Sequence, residues 1–313
     1  MSFELFVDSA ANLPDEVKTT RNIHVIPYLF TVNGEERTCL QDGTSFRDAA
    51  IRFYAEMREG ADVKTSLISK QRIIDALSPS LEAGQDVFLV TITASLSGTF
   101  DQAMHAKQDL SERFPARKIV VVDAANASLG EGLLALRVAD LRDMGESIET
   151  CEEWFNDNVY RMNSHVTVGD LKYLRKSGRV SLVTALAGSI LGIKAMLKAN
   201  GETPARLVFA GRERGRKKAL SSLIRSFEEN ADLTAAQTIA IAHADCEDDA
   251  LALAEELKKR GAQNIIIEHY DLCTGSHVGP DTLALFFFGK DRRGDLSAAH
   301  ARIKVKGHSP VKT

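Results

Sequence analysis

Apolar and polar positions alternate with two different periods through the first half of this chain. Short apolar runs rich in β-branched residues, at 3–7, 87–93 and 118–122, predict strands buried on both faces of a parallel sheet. Between them, a period near 3.6 predicts helices at 45–58, 69–81, 99–113, 130–144 and 148–162, and Asn12-Leu13-Pro14-Asp15 opens a shorter one. A strand at 23–32 contains Pro27, which cannot donate to a ladder and puts that part near a sheet edge. Asn33-Gly34 is a hairpin signal returning through 36–39, and 63–66 reads as a polar turn. Regular strand–helix alternation predicts a parallel α/β layer structure.

Near Ser164 the rhythm changes. A strand at 165–168 precedes a short helix at 170–176, capped by Asp170 and stopped at Ser177-Gly178. An almost uncharged helix at 182–191 follows, then strands at 193–198 and 206–209 around Asn200-Gly201-Glu202. The basic run from Arg212 to Lys218 opens a helix reaching about residue 229. Strand, helix and strand follow at 238–243, 248–259 and 264–270, with a turn-rich segment at 273–280 and a last strand at 283–288. The tail from about Asp291 is polar and basic and is expected to be poorly ordered. The expected architecture is two α/β domains, 1–163 and 164–313, with a ligand slot between them. The first has a mainly parallel sheet flanked by helices, the second a mixed sheet.

Composition adds exclusions. A net charge of −4 over 313 residues gives no electrostatic reason to expect nucleic-acid binding. The amino end lacks the basic and apolar regions of a signal peptide, and no apolar run is long enough to span a bilayer. Cys39, Cys151, Cys246 and Cys273 are far apart without a Cys-x-x-Cys. They are expected to be free thiols in a cytoplasmic protein, with no disulfide or zinc framework.

The chemistry concentrates at 87–100, where a buried strand breaks into Ser95, Ser97, Gly98 and Thr99 before a helix. Such a turn delivers hydroxyls and free N–H groups to the carboxyl end of a strand, where open α/β sheets hold ligands and helix amino termini favour anions. Asp8-Ser9, Thr65-Ser66 and Asp123 also sit next to strand ends, so they are expected to converge there on a small acid.

Asp8-Ser9-Ala10-Ala11-Asn12-Leu13-Pro14, Lys64-Thr65-Ser66, Ser95-Leu96-Ser97-Gly98-Thr99, the run from Leu174 to Ser181, and Gly275-Ser276-His277-Val278-Gly279-Pro280 occur in that order. This series resembles the DegV family of fatty-acid-binding proteins, from Asp8 to about Gly289. The resemblance implies a long-chain fatty acid as ligand and no cofactor or metal. Its carboxylate would be held by Thr65 and Ser97, with Ser66, Ser95, Gly98, Arg179 and His277 near the head group. It further implies that Arg212, Arg214, Arg216, Lys217 and Lys218 meet a separate ATP-using fatty acid kinase, in a route to phospholipid, since this chain carries no phosphate loop. Candidate slot linings are the 182–191 helix, 193–197, 283–288 and side chains of 46–57. This chain departs from the family pattern at Gly192-Ile193-Lys194-Ala195, at Ala10 and in its longer tail.

Each of these residues has a plainer reading. Thr65 and Ser97 suit helix caps, His277 a turn, Arg179 a surface ion pair, and the basic run a solvated helix start. The competing functional class is a serine esterase built on Ser97, His277 and Asp123, although no Gly-x-Ser-x-Gly elbow is present.

Overall fold

The computed structural model describes residues 3–39, 45–179, 192–234 and 236–294. The helix expected at 182–191 lies outside them, as does the tail beyond Gly294.

The first half is built on a four-stranded parallel sheet of β1 (Phe3–Asp8), β2 (Ile23–Ile26), β6 (Asp86–Thr91) and β7 (Ile119–Asp123), in the order β2-β1-β6-β7. Between β2 and β6 the chain forms a separate antiparallel sheet, β4-β3-β5, from β3 (Leu29–Val32), β4 (Glu35–Thr38) and β5 (Val63–Thr65). The strand expected at 23–32 is therefore two strands in two sheets. Pro27 lies at the break, and β2 takes the edge position that a proline demands nearby. Asn33 and Gly34 adopt φ of 52° and 89°, as the tight hairpin requires. The polar turn expected at 63–66 is instead β5, because its backbone completes the small sheet beside β3.

Helices α1 (Asp15–Thr20), α2 (Phe46–Arg58), α3 (Lys70–Glu82), α4 (Thr99–Arg113), α5 (Leu129–Asp143) and α6 (Ile148–Asn158) alternate with these strands. Ser45, Ser69 and Ser147 cap α2, α3 and α6, each accepting a backbone N–H of the first turn. Helix α5 is apolar over most of its circumference because it is covered there, packing on β1 and β6 and also on β8 (Met162–Thr167), β11 (Thr238–His243) and β13 (Leu283–Phe288). Arg137, Asp140 and Asp143 are left as a polar stripe toward solvent. Gly132 allows this approach, since a Cβ there would stand 2.4 Å from the Ala11 carbonyl oxygen.

The second half holds a six-stranded mixed sheet in the order β10-β9-β8-β13-β11-β12, where β9 is Ile193–Ala199, β10 Leu207–Arg214 and β12 Asn264–His269. Only β11 and β12 pair in parallel. It carries α7 (Leu171–Ser177), α8 (Arg216–Asn230), α9 (Glu247–Lys258) and α10 (Leu272–Val278). Two expectations are corrected here. Arg212 and Arg214 end the edge strand β10, and the helix begins only after Gly215, whose φ of 83° breaks the ladder. The turn-rich segment at 273–280 is mostly α10, because Asp271 accepts the N–H groups of Cys273 and Thr274 and so caps it.

Helix α10 joins the two halves. A Cβ at Gly275 would lie 1.9 Å from the Tyr54 hydroxyl on α2, which donates to the Tyr270 carbonyl at 3.1 Å. Gly275→Ala is therefore expected to destabilise the protein by about 1–3 kcal/mol through overpacking. The cost should shrink in a Tyr54→Phe background, where the hydroxyl is gone. A double-mutant cycle by urea denaturation checks this, and equal costs in both backgrounds would disprove the contact.

Candidate functional site

The Ser-rich turn after β6 hangs between two carboxylates. Asp8, at the end of β1, accepts the Ile92 N–H at 2.9 Å, and Asp123, at the end of β7, accepts the Ala94 N–H at 3.1 Å. Parallel pairing makes this unavoidable, since the carboxyl ends of β1, β6 and β7 share one edge. Asp8 also accepts the Ala10 N–H at 2.8 Å and is 1% exposed. Burial pushes its carboxyl up to about 7 against the opposing pull of these hydrogen bonds, and burial likewise raises Asp123.

From Asp8 a hydroxyl chain leads outward. The buried Tyr28 hydroxyl lies 3.4 Å from Asp8 Oδ2, 3.4 Å from Ser97 Oγ and 2.8 Å from Thr99 Oγ1. Ser97 Oγ is 2.9 Å from Thr99 Oγ1 and accepts the Thr99 N–H at 3.3 Å, so it also serves the start of α4. Thr65 caps no helix; it sits on β5 opposite Phe30, with Oγ1 3.0 Å from His277 Nε2 on α10. Burial, and secondarily the Arg179 charge, lowers His277 to about 4, so its ring is neutral at pH 7.

Tyr28, Thr65, Ser97 and His277 line one cavity of about 510 Å³, within the range of small-molecule sites, while Asp8, Thr99 and Asp123 stand behind its wall. Thr65, Ser66, Ser95, Ser97, Gly98 and His277 all border it, with exposed Arg179 at its rim. The four polar points of the sequence do not all converge in the same way. Asp123 is turned to backbone N–H groups of Ala94 and Ala125, and Ser66 donates to the Leu29 carbonyl. Ser95 donates to the Ala205 carbonyl, which also accepts from Thr93 at 3.0 Å, tying the turn to the β9–β10 hairpin. The apolar lining includes Ile92, Leu96, Val166, Leu174, Leu207 and Phe286. Of the expected linings, 283–288 contributes Phe286, and β9 contributes Ala199 rather than the 193–197 stretch. No residue of 46–57 borders this cavity, because the apolar face of α2 is packed into the core through Ala50, Phe53, Tyr54 and Met57.

The esterase arrangement is not formed. Ser97 pairs with Thr99 and Tyr28, His277 with Thr65, and Asp123 with backbone, so no hydrogen-bonded relay links the three. Of the basic run, Arg212, Arg214, Lys217 and Lys218 are exposed. Arg216 is held internally by Asp249 at 2.8 Å and by the Asp281 carbonyl at 2.9 Å. Sequence reasoning missed Tyr28, which lies near Pro27 and carries no motif. It also missed Ser128, a 1% exposed cavity residue whose hydroxyl has no hydrogen-bond partner among the described residues. Its place just before a helix that follows a strand was the available signal.

The raised Asp8 carboxyl has a stability consequence. Between the ordinary value of 3.8 and about 7 the folded state binds more protons than the unfolded one, so this group's contribution falls as pH rises through that window. Asp271, pushed up to about 6 by burial, acts in the same direction, whereas His277 acts oppositely between about 4 and 6.5. Asp8→Asn is expected to flatten the decline in stability from pH 4 to 7, measured by urea midpoints. An unchanged slope would show that Asp8 ionises normally.

Similarity to known proteins agrees with this geometry. The model of the DegV family, COG1307, matches residues 2–290. A DegV domain-containing protein of Clostridium perfringens, CPE0026, is 32% identical over 288 residues, covering 92% of this chain and 97% of the relative. Among solved structures, a DegV family protein from Thermus thermophilus, described as fatty acid binding, superposes with a TM-score of 0.80 at 26% identity, covering 93% of this chain and 100% of its own. A Thermotoga maritima protein described as revealing a fatty acid binding function matches with the same TM-score and coverages at 25% identity. With the family model matching residues 2–290 and a relative 32% identical over 92% of its length, this chain belongs to the DegV family.

Proposed function

We propose that this chain binds one long-chain fatty acid in the 510 Å³ cavity and performs no covalent step itself. The observation that carries this reading is the division of the cavity lining. One part is apolar; another presents uncharged hydroxyls from Thr65, Ser97 and Ser128 beside a neutral His277. Burial of the acyl chain contributes roughly 0.8 kcal/mol per CH₂, on the order of 10 kcal/mol for a long chain before ordering costs. The head-group contacts then set orientation. Neutral donors bind a carboxylate without burying a second charge, and Tyr28 orients Ser97 and Thr99 from behind. Arg179 at the rim supplies long-range attraction for an anion. The domain reading, 1–163 and 164–313, assigns Thr65 and Ser97 to one unit and Arg179 and His277 to the other.

In this reading the bound carboxylate is presented to a separate ATP-using kinase in the cytoplasm, for acyl-phosphate formation and phospholipid synthesis. Four exposed cations support it: Arg212 and Arg214 on one face of the edge strand β10, and Lys217 and Lys218 in the first turn of α8. Cations at a helix amino terminus oppose the dipole, so an external acidic surface gives them a role. Arg216 takes no part, being held by Asp249. No helix among the described residues is long and apolar enough to cross a membrane.

Native mass spectrometry with solvent extraction is expected to find a fatty-acid adduct at one per chain. Thr65→Val with Ser97→Ala should weaken binding of a fluorescent fatty acid about tenfold or more, and Tyr28→Phe less, through the loss of charge-assisted hydrogen bonds. No adduct and no binding of added fatty acids would overturn the reading. Hydrolysis of p-nitrophenyl acyl esters that disappears in Ser97→Ala would replace it with an esterase.

A further inference from the structure

Two thiols far apart in sequence meet in the wall between two cavities. Cys39 Sγ, just past β4, donates to Cys273 Sγ on α10 at 3.4 Å, and the two residues are 4% and 5% exposed. Cys273 borders the large cavity. Cys39 borders a second one of about 180 Å³, lined also by Asp8, Asn12, Lys18, Phe46 and Asp271. We propose that Cys39 and Cys273 form a reversible disulfide, and that this cross-link governs exchange of the ligand in the large cavity.

The consequence follows from what each thiol is attached to. Cys39 extends the small sheet β4-β3-β5, whose far strand carries Thr65. Cys273 belongs to the helix that carries His277, and Thr65 and His277 meet at 3.0 Å beside the head-group hydroxyls. A bond between the sulfurs therefore staples together the two elements that must separate for this edge of the cavity to open. The sequence interval it closes is long, so it also restricts the unfolded chain strongly.

The chemistry needs an oxidant of the peroxide or small-disulfide class. With hydrogen peroxide, the Cys39 thiolate attacks one oxygen and the O–O bond breaks. The departing hydroxide takes up the thiol proton as water, leaving a sulfenic acid on Cys39. Cys273 sulfur then attacks Cys39 sulfur; the S–S bond forms, the S–O bond breaks, and hydroxide leaves as water with the Cys273 proton. Two thiols are oxidised and one peroxide becomes two waters. Asp271 Oδ1 lies 3.8 Å from Cys39 Sγ, so a carboxylate stands beside the reacting sulfur to relay its proton to the departing hydroxide.

The same three groups, two thiols and a carboxylate, resemble a soft-metal ligand set. Asp271, however, already caps α10, accepting the Cys273 N–H at 2.9 Å, the Thr274 N–H at 3.1 Å and the Thr274 hydroxyl. A thiol–thiol bond leaves that cap intact, which favours the disulfide.

The test uses the full chain, treated with hydrogen peroxide or with glutathione disulfide, then alkylated and mapped by peptide mass spectrometry. The expected result is one cross-link, Cys39 to Cys273, with Cys151 and Cys246 alkylated and full reversal by dithiothreitol. Release of prebound cis-parinaric acid, which rests on the fatty-acid reading above, should be about tenfold slower in the oxidised protein. Cys39→Ser, a residue outside the large cavity, should release at the reduced rate under both conditions. Absence of this cross-link, linkage through other cysteines, or zinc retained stoichiometrically by both thiols would overturn the proposed bond. A cross-link with unchanged release would overturn its effect on exchange. A cross-link in a protein that binds no cis-parinaric or other fatty acid would sustain the bond and overturn the fatty-acid reading instead.

Discussion

Two strand-end carboxylates fix the geometry on which the candidate site depends. Asp8 reaches from the end of β1 across to the backbone after β6, and the acidic end of β7 does the same from the other side. Without these acceptors the turn from Ile92 to Gly98 would carry buried N–H groups with no partner, at a cost of about 1–3 kcal/mol each. The turn is thus held by side chains from its flanking strands, and its hydroxyls point where those strands end. Burial, with a further push from the nearby Asp271 carboxyl, raises the Asp8 carboxyl to about 7. Hydrogen bonds from Ile92, Ala10 and Tyr28 partly offset that penalty.

The second constraint is the fit between the two halves. Helix α5 packs against strands of both large sheets, and its glycines permit contacts that any side chain would block. Gly275 does the same for α10 against Tyr54. At the far side, Arg292 is buried beyond the last strand and donates to the Ala125 and Asn200 carbonyls, with burial lowering it to about 10. The polar tail expected from Asp291 therefore begins with an anchor in the interior. Ala205 in the β9–β10 hairpin receives hydroxyls from Thr93 and Ser95. The cavity is bounded by contacts between elements remote in sequence, which explains why its shape is a property of the whole chain.

Electrostatics at the cavity follow the same logic. His277 is neutral because it is buried beside Arg179, and Thr65 is its partner rather than a cap for α3, which Ser69 supplies. A site of neutral hydroxyls with two solvent-exposed guanidiniums, Arg179 and Arg206, suits an anion that must enter, orient and leave. A fixed buried cation would hold it more tightly and impose a larger desolvation cost when unoccupied.

By itself the sequence determined the α/β alternation, the buried strand that forms most of β6, the Asp170 cap of α7, and the Asn33-Gly34 hairpin. These are local: period, β-branching and turn chemistry act within a few residues. It also determined the motif order that marks the DegV family, and hence Thr65, Ser97 and His277 as candidates. Only the tertiary structure decided that residues 23–32 split between two sheets, that 63–65 is a strand, and that α2 faces the core rather than the cavity. It alone brought Tyr28 to Ser97, Thr65 to His277 and Cys39 to Cys273. These pairs are separated by tens to hundreds of residues, and no local propensity encodes which side chains meet when two sheets close on one helix.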